Sequence, residues 1–409
     1  MDKENLKKYA ELVIKSGINV QDNQILIINS PIECAEFTRM LSEIAYKAGA
    51  REVQIVWNDG VSSRIKYLYG KDEIFDEFPE WSKQMLVSYA KKGAAFLSVF
   101  SEDPELMKGI SSERIARASK ARGKALVEYY ERVMSDKNSW CVVSIPTEAW
   151  AKKVFADSDR DEAVEKLWEA IFKTTRATEK DPVAAWEEHK RNLKKRIEIL
   201  HSYKLKYLIY KNSIGTDLKI ELPKDHIWIG ASSTNENGLE FIPNIPTEEI
   251  FTLPLKNGVN GKVVSTKPLN LNGNLVENFS FTFKDGRIID SAAEKGYDVL
   301  KELIDTDEGS HYLGEVALVP YDSPISNSKI LFYNTLFDEN AACHLAIGKA
   351  YPTCLKNGDN MTNEELEKAG VNNSLQHEDF MIGSQDLNIT GITEDGKEIK
   401  IFENGNFAF

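Results

Sequence analysis

The chain has 409 residues, enough for two domains, and its 42% hydrophobic and 28% charged residues, with 18 Phe, 15 Tyr and 7 Trp, exclude a mainly disordered protein. Four scattered Cys without CxxC spacing exclude a disulfide-stapled module; the absence of a long apolar run and the polar start MDKENLKKYAELVIKSG argue against a membrane span or signal peptide, so a cytoplasmic protein is expected. The net charge of -13 arises wholly in the second half: residues 1–200 hold 33 Lys+Arg against 33 Asp+Glu, whereas residues 201–409 hold 18 against 31 together with five of the six His, which argues against nucleic-acid binding.

In chain order, residues 23–30 (NQILIINS) read as a buried strand and 34–49 (CAEFTRMLSEIAYKAG) as an amphipathic helix ending at Gly49. Residues 52–58, 94–101 and 140–146 are further strands, with helices over about 73–92 and 111–136. Alternating strands and helices with short links predict an α/β domain with a mostly parallel sheet covered by helices. Neither GxGxxG nor GxxxxGK[ST] is present, so nucleotide binding has no support there. A charged helical stretch over 159–204, broken at Asp181-Pro182, leads into the second half. There, KYLIYKN, TDLKIELP, HIWIGAS, KVVSTKPL and two hairpins, turning at Asp285-Gly286 and near Asp395-Gly396, predict a strand-rich α+β domain. Helices are expected at about 291–304 and 340–351. The expected domains are 1–204 and 205–409.

Four segments of the second half gather metal-type side chains. FIPNIPTEEIFTLP carries Glu248 and Glu249 between stiffening prolines, and YLGEVALVP carries Glu315 inside an apolar strand. LFDENAACHLAIGKAY carries Asp338, Glu339, His344 and Tyr351, and LQHEDFMIG carries His377 and Asp379. His377 and Asp379, two apart, share one face of a strand. On the expected helix, His344 and Tyr351 would share a face about two turns apart. Carboxylates with imidazoles suit a divalent metal, and a bridging carboxylate can hold two metals roughly 3.5–4 Å apart. Each element also has an ordinary role. Glu248-Glu249 can be an exposed pair, Glu315 an ion-pair partner, His344 a packed histidine, the HxD a surface pattern and Tyr351 a core aromatic. Phosphate chemistry is disfavoured, since few Lys or Arg flank these residues. A metal- or peptide-binding protein without activity is the other alternative.

At these motifs the chain resembles the thermophilic-type metalloaminopeptidases, the aminopeptidase T, aminopeptidase S and PepS group. NIPTEEIFTLP, YLGEVALVP, LFDENAACHLAIGKAY and HEDFMIGS carry the likeness in one order, and NQILIINSP, SIPTEAWAKKVFADS and GTDLKIELP extend it over the whole length. The resemblance implies removal of N-terminal residues from peptides through a metal-bridged water, with two divalent ions per subunit (Zn, Co, Mn or Mg). It implies Glu249, Glu315, Glu339, His344, His377 and Asp379 as ligands, with Glu315 bridging, and Tyr351 as the catalytic tyrosine. Glu315 or Glu339 would shuttle the proton, while Glu248 matches no defined role. It further implies peptide partners with a free N-terminus, no nucleic acid or membrane partner, and a homodimer with an internal cavity, in which the first domain serves as scaffold and cavity wall.

Overall fold

A computed structural model describes residues 2–101, 103–271 and 274–409. They fall into two compact units. One runs to Lys190 and includes Ser232–Thr247; the other comprises Arg191–Ala231 and Glu248–Phe409.

The first unit is built on a parallel sheet. Its strands are β1 (Ile25–Pro31), β2 (Glu52–Asn58), β3 (Ala95–Val99) and β4 (Trp140–Val143), in the order β2-β1-β3-β4, and the short strand Asn244–Ile245 adds beside β4. Leu26, Ile27 and Ile28 of β1 and Ala95, Phe96 and Leu97 of β3 are buried, as expected where both faces of a parallel sheet are covered. The helix Ala35–Lys47 links β1 to β2 and turns Phe37, Thr38, Leu41 and Ala45 inward. The expected helix at 73–92 is shorter, Glu80–Lys91, because Pro79 stands at its N-cap. The stretch 111–136 divides into Ser112–Ala125 and Val127–Met134. The break at Asp181-Pro182 starts the helix Pro182–Tyr203, where the Asp181 carboxylate accepts from the Ala184 N–H.

The second unit is antiparallel. A large sheet contains β5 (Leu205–Lys211), β6 (Asp217–Glu221), β8 (Val259–Val264), β9 (Asn274–Lys284), β10 (Arg287–Lys295), β14 (Asn388–Thr393) and β15 (Glu398–Glu403). Both expected hairpins are present, β9–β10 and β14–β15. A smaller sheet has the order β13 (His377–Met381), β12 (His344–Gly348), β11 (Leu313–Leu318), β7 (Ile250–Thr252) and the short strand Ile229–Gly230. The parallel sheet with helices and the separate strand-rich part agree with the expected fold class. No helix of the described residues is long and apolar enough to cross a membrane.

Two expected helices differ. Residues 291–295 continue strand β10, and the helix begins only at Tyr297, behind Gly296 with φ 74°. The helix expected at 340–351 is absent: a 3-10 turn, Glu339–Ala341, leads into β12. The Ala-rich segment has good helix propensity, but pairing with β11 and β13 on either side overrides it. His344 and Tyr351 therefore do not share a helical face.

Candidate metal centre

The small sheet separates two chemistries across its two faces. Val316, Leu318, Leu345, Ile347, Phe380 and Ile382 join the apolar core. Alternation then sends Glu315, His344, His377 and Asp379 to the other face. Cross-strand pairs set their neighbours: Glu315 lies opposite Ala346, Ala346 opposite Asp379, and Gly348 opposite His377. The small residues of β12 leave room between the carboxylates of its two neighbouring strands. A register shift between Leu313 and Glu315, at Gly314, lets Leu313 remain in the core while Glu315 faces the cluster. Glu249 arrives from the residue before β7 and is buried.

Two donor groups result. One is Glu249, Glu315 and His344, and the other is Glu315, His377 and Asp379; within each, the ligand atoms lie within 4.8 Å of one another. Glu315 belongs to both. Its Oε1 lies 3.4 Å from His344 Nε2 and its Oε2 lies 3.5 Å from His377 Nε2. His344 Nε2 is also 3.2 Å from Glu249 Oε2. Asp379 Oδ1 is 3.6 Å from His377 Nε2 and 4.0 Å from His344 Nε2, and this buried oxygen has no hydrogen-bond partner among the described residues.

Both imidazoles are oriented from behind. His344 Nδ1 lies 3.0 Å from the Glu339 carbonyl and 3.1 Å from that of Ala342, while His377 Nδ1 lies 2.6 Å from the Lys349 carbonyl. A carbonyl only accepts, so Nδ1 carries the hydrogen and a neutral ring turns the Nε2 lone pair into the cluster. The set therefore fits a metal: converging carboxylates, two pre-oriented imidazoles and an orphaned buried oxygen.

Crowding of charge shifts the titrations. Burial, with Asp379 and Glu249 nearby, pushes Glu315 up to about 7, against the relief given by His344 and His377. Burial and the charges of Asp379 and Glu249 hold Glu339 well above the carboxylate range. Burial disfavours charge on the imidazoles, but Asp379 and Glu315 still push His377 up to about 10. Glu249 and Glu315 likewise outweigh burial and hold His344 well above its ordinary value. Asp379, despite burial, is kept low by His377 and His344.

The remaining residues divide. Glu339 is buried and stands outside both donor groups; Asn340 Nδ2 donates to its Oε1 at 3.3 Å. Tyr351 lies after β12, its ring 4.9 Å from that of His377 in an edge-on contact. Burial and the carboxylates of Glu315 and Asp379 hold its hydroxyl well above the ordinary value, so it stays protonated and able to donate. Asp338 serves the loop instead, accepting from the Phe332 N–H at 3.0 Å and the Asn334 N–H at 3.1 Å. Glu248 is buried and its charge acts on Arg196.

Asn340 is the residue that sequence reasoning missed. Its Oδ1 accepts from the Glu248 N–H at 2.8 Å while its Nδ2 donates to the Leu336 carbonyl at 3.0 Å. One amide thus ties the glutamate pair of the β7 approach to the turn bearing Glu339. Its partner lies 92 residues away, so no local sequence pattern marked it.

The chain is similar to known proteins over its whole length. A sequence model of the family described as "Thermophilic metalloprotease (M29)" matches residues 2–407. The chain is 53% identical over 406 residues to aminopeptidase AmpS of Bacillus subtilis, covering 99% of each chain. It is 50% identical over 404 residues to aminopeptidase 2 of Geobacillus stearothermophilus, covering 99% of this chain and 98% of that one. The solved structure of AmpT from Thermus thermophilus superposes with a TM-score of 0.92 at 38% identity, covering 100% of both chains.

Proposed function

The chain belongs to the thermophilic metalloprotease (M29) family and is a metalloaminopeptidase, and from that premise we propose a two-metal site centred on Glu315 that removes N-terminal residues from peptides. The observation that carries this reading is the carboxylate of Glu315, whose two oxygens face the two histidines. Glu249, Glu315, Glu339, His344, His377 and Asp379 would hold the ions, drawn from zinc, cobalt, manganese or magnesium. Two such ions would supply Lewis acidity for activating water and polarising the scissile carbonyl.

The residues of the chain do the rest. Glu315 keeps the two arms of the cluster at a fixed separation. The Tyr351 hydroxyl, held protonated, donates to the oxygen of the scissile carbonyl as negative charge develops there. Glu339, as a carboxylate, would take the proton of the attacking water, and its raised proton affinity would let it hold that proton until it passes to the leaving amine. The surplus of carboxylates receives the ammonium of the substrate's N-terminus, which makes a free amine a requirement. These residues all lie in the second unit, Arg191–Ala231 with Glu248–Phe409, so catalysis is assigned to it and the scaffold role to the first unit. A cytoplasmic homodimer completes the reading. The family likeness supports the dimer, and four buried cysteines, none of them in a disulfide, fit a reducing compartment.

Hydrolysis of aminoacyl-p-nitroanilides beside N-acetylated controls tests this function. The expected result is turnover of free-amine substrates only, lost to a chelator and restored by divalent metal. Equal turnover of the acetylated substrates would contradict it.

A further inference from the structure

Beyond the cluster, the second unit contains a cavity of about 460 Å³ whose lining includes Lys267, Lys329, Thr266 and Ser384, with no Asp or Glu among the described residues that form it. Two lysines without an acid are unexpected here, since residues 201–409 carry 31 Asp+Glu against 18 Lys+Arg.

The lysine charge is under-compensated. Lys267 is 22% exposed, and its Nζ lies 3.9 Å from Asp338 Oδ1, beyond hydrogen-bond reach. Both oxygens of Asp338 already accept backbone N–H groups, from Phe332 and Asn334. Burial accordingly lowers the Lys267 ammonium, against the charge of Asp338. The Thr266 hydroxyl is buried and has no hydrogen-bond partner among the described residues. A partly desolvated ammonium without a hydrogen-bonded counter-ion favours an anion that can accept from it.

The cavity lies on the ligand side of the small sheet. Ala342, which lines it, is extended (φ -159°, ψ 152°) and two residues before His344, so both side chains leave the same face. Gly383 also lines it and packs directly against this segment, since a Cβ placed there would meet Cys343 N at 2.6 Å and the Ala342 Cβ at 2.9 Å. Two strand residues place this wall roughly 7 Å along the strand from His344. An extended di- or tripeptide, at about 3.3–3.6 Å per residue, covers that distance from an N-terminus held at the cluster.

We propose that this cavity is a carboxylate subsite, in which Lys267 and Lys329 hold a carboxylate on the leaving-group side of a short peptide substrate. The proposal rests on the aminopeptidase reading and adds a substrate class to it: short peptides whose C-terminal carboxylate, or an acidic second side chain, reaches the lysines.

The test compares kcat/KM for Leu-Gly, Leu-Gly-amide, Leu-Glu-amide and leucine p-nitroanilide in the metal-loaded enzyme and in Lys267→Met, Lys267→Arg and Lys329→Met. Wild type is expected to prefer Leu-Gly over its amide by ~10-fold or more, chiefly through KM. Lys267→Met is expected to remove most of that ratio, Lys267→Arg to restore it, and Lys329→Met to reduce it less. A matching preference for Leu-Glu-amide over Leu-Gly-amide would identify the side chain as a second source of the carboxylate. Equal use of Leu-Gly and its amide by wild type, or a ratio unmoved by both Met variants, would overturn the subsite. Failure of the aminopeptidase reading looks different, because the nitroanilide too would go uncleaved, and the subsite would fall with it.

Discussion

The two units bury polar groups in opposite ways. In the first, buried polar groups find partners and balance. Tyr9 donates to the Ser144 carbonyl, Asn138 donates to the Ala90 and Ala94 carbonyls at 2.9 Å each, and Lys190 pairs with Glu187 and Glu240. In the second, Glu249, Glu315, Glu339 and Asp379 crowd about two histidines, and the buried Asp379 Oδ1 has no hydrogen-bond partner among the described residues. Satisfied polar groups stabilise a fold, whereas crowded like charges cost stability and are expected where chemistry is done.

Substitutions on each side can break this contrast. The largest effect is expected for Glu315→Gln, which keeps the shape but removes the charge shared by both donor groups. kcat/KM should fall by ~10³-fold or more, while the metal-free thermal midpoint does not drop, since burial of that carboxylate is already unfavourable. A large loss of metal-free stability would mean that Glu315 is an ordinary ion-pair partner. Tyr351→Phe should lower kcat by ~10²-fold with little change in KM, as expected of a donor that acts on developing charge; an effect on KM alone would assign it to binding.

Metal affinity should depend on pH. Protons on His344 and His377 compete with a cation, and His377 is pushed up to about 10, so ring protons must leave on binding across the neutral range. Affinity measured by competition with a chromogenic chelator should rise by ~10-fold or more per pH unit between pH 6 and 8. A flat profile would place the metal elsewhere. The smallest effect on activity is expected in the first unit. Asn138→Ala leaves two buried carbonyls short of a donor, costing about 1–3 kcal/mol in denaturant unfolding, with kcat per folded molecule unchanged.

Sequence pattern revealed those parts of the site that depend on local periodicity. Spacing two apart placed His377 and Asp379 on one strand face, and the apolar run about Glu315 marked a buried strand, as the structure has them. It failed where long-range pairing decides. The segment at 340–351 has the composition of a helix, and only its place between β11 and β13 makes it a strand. The Asn340 bridge to Glu248 spans 92 residues and has no local pattern at all. The bulge at Gly314, which reverses the inside and outside of β11, was equally invisible, since a register shift is a property of two strands together. The covered parallel sheet of the first unit needed no such information, because its apolar runs and short links already imply it.

The central claim is that Glu315 joins two metal ions. Anomalous diffraction from crystals grown with zinc, recorded across the zinc edge, tests it most directly. The account predicts two peaks roughly 3.5–4 Å apart, one toward His344 and one toward His377, with the Glu315 carboxylate between them. A single peak, or two peaks not shared by Glu315, would contradict it.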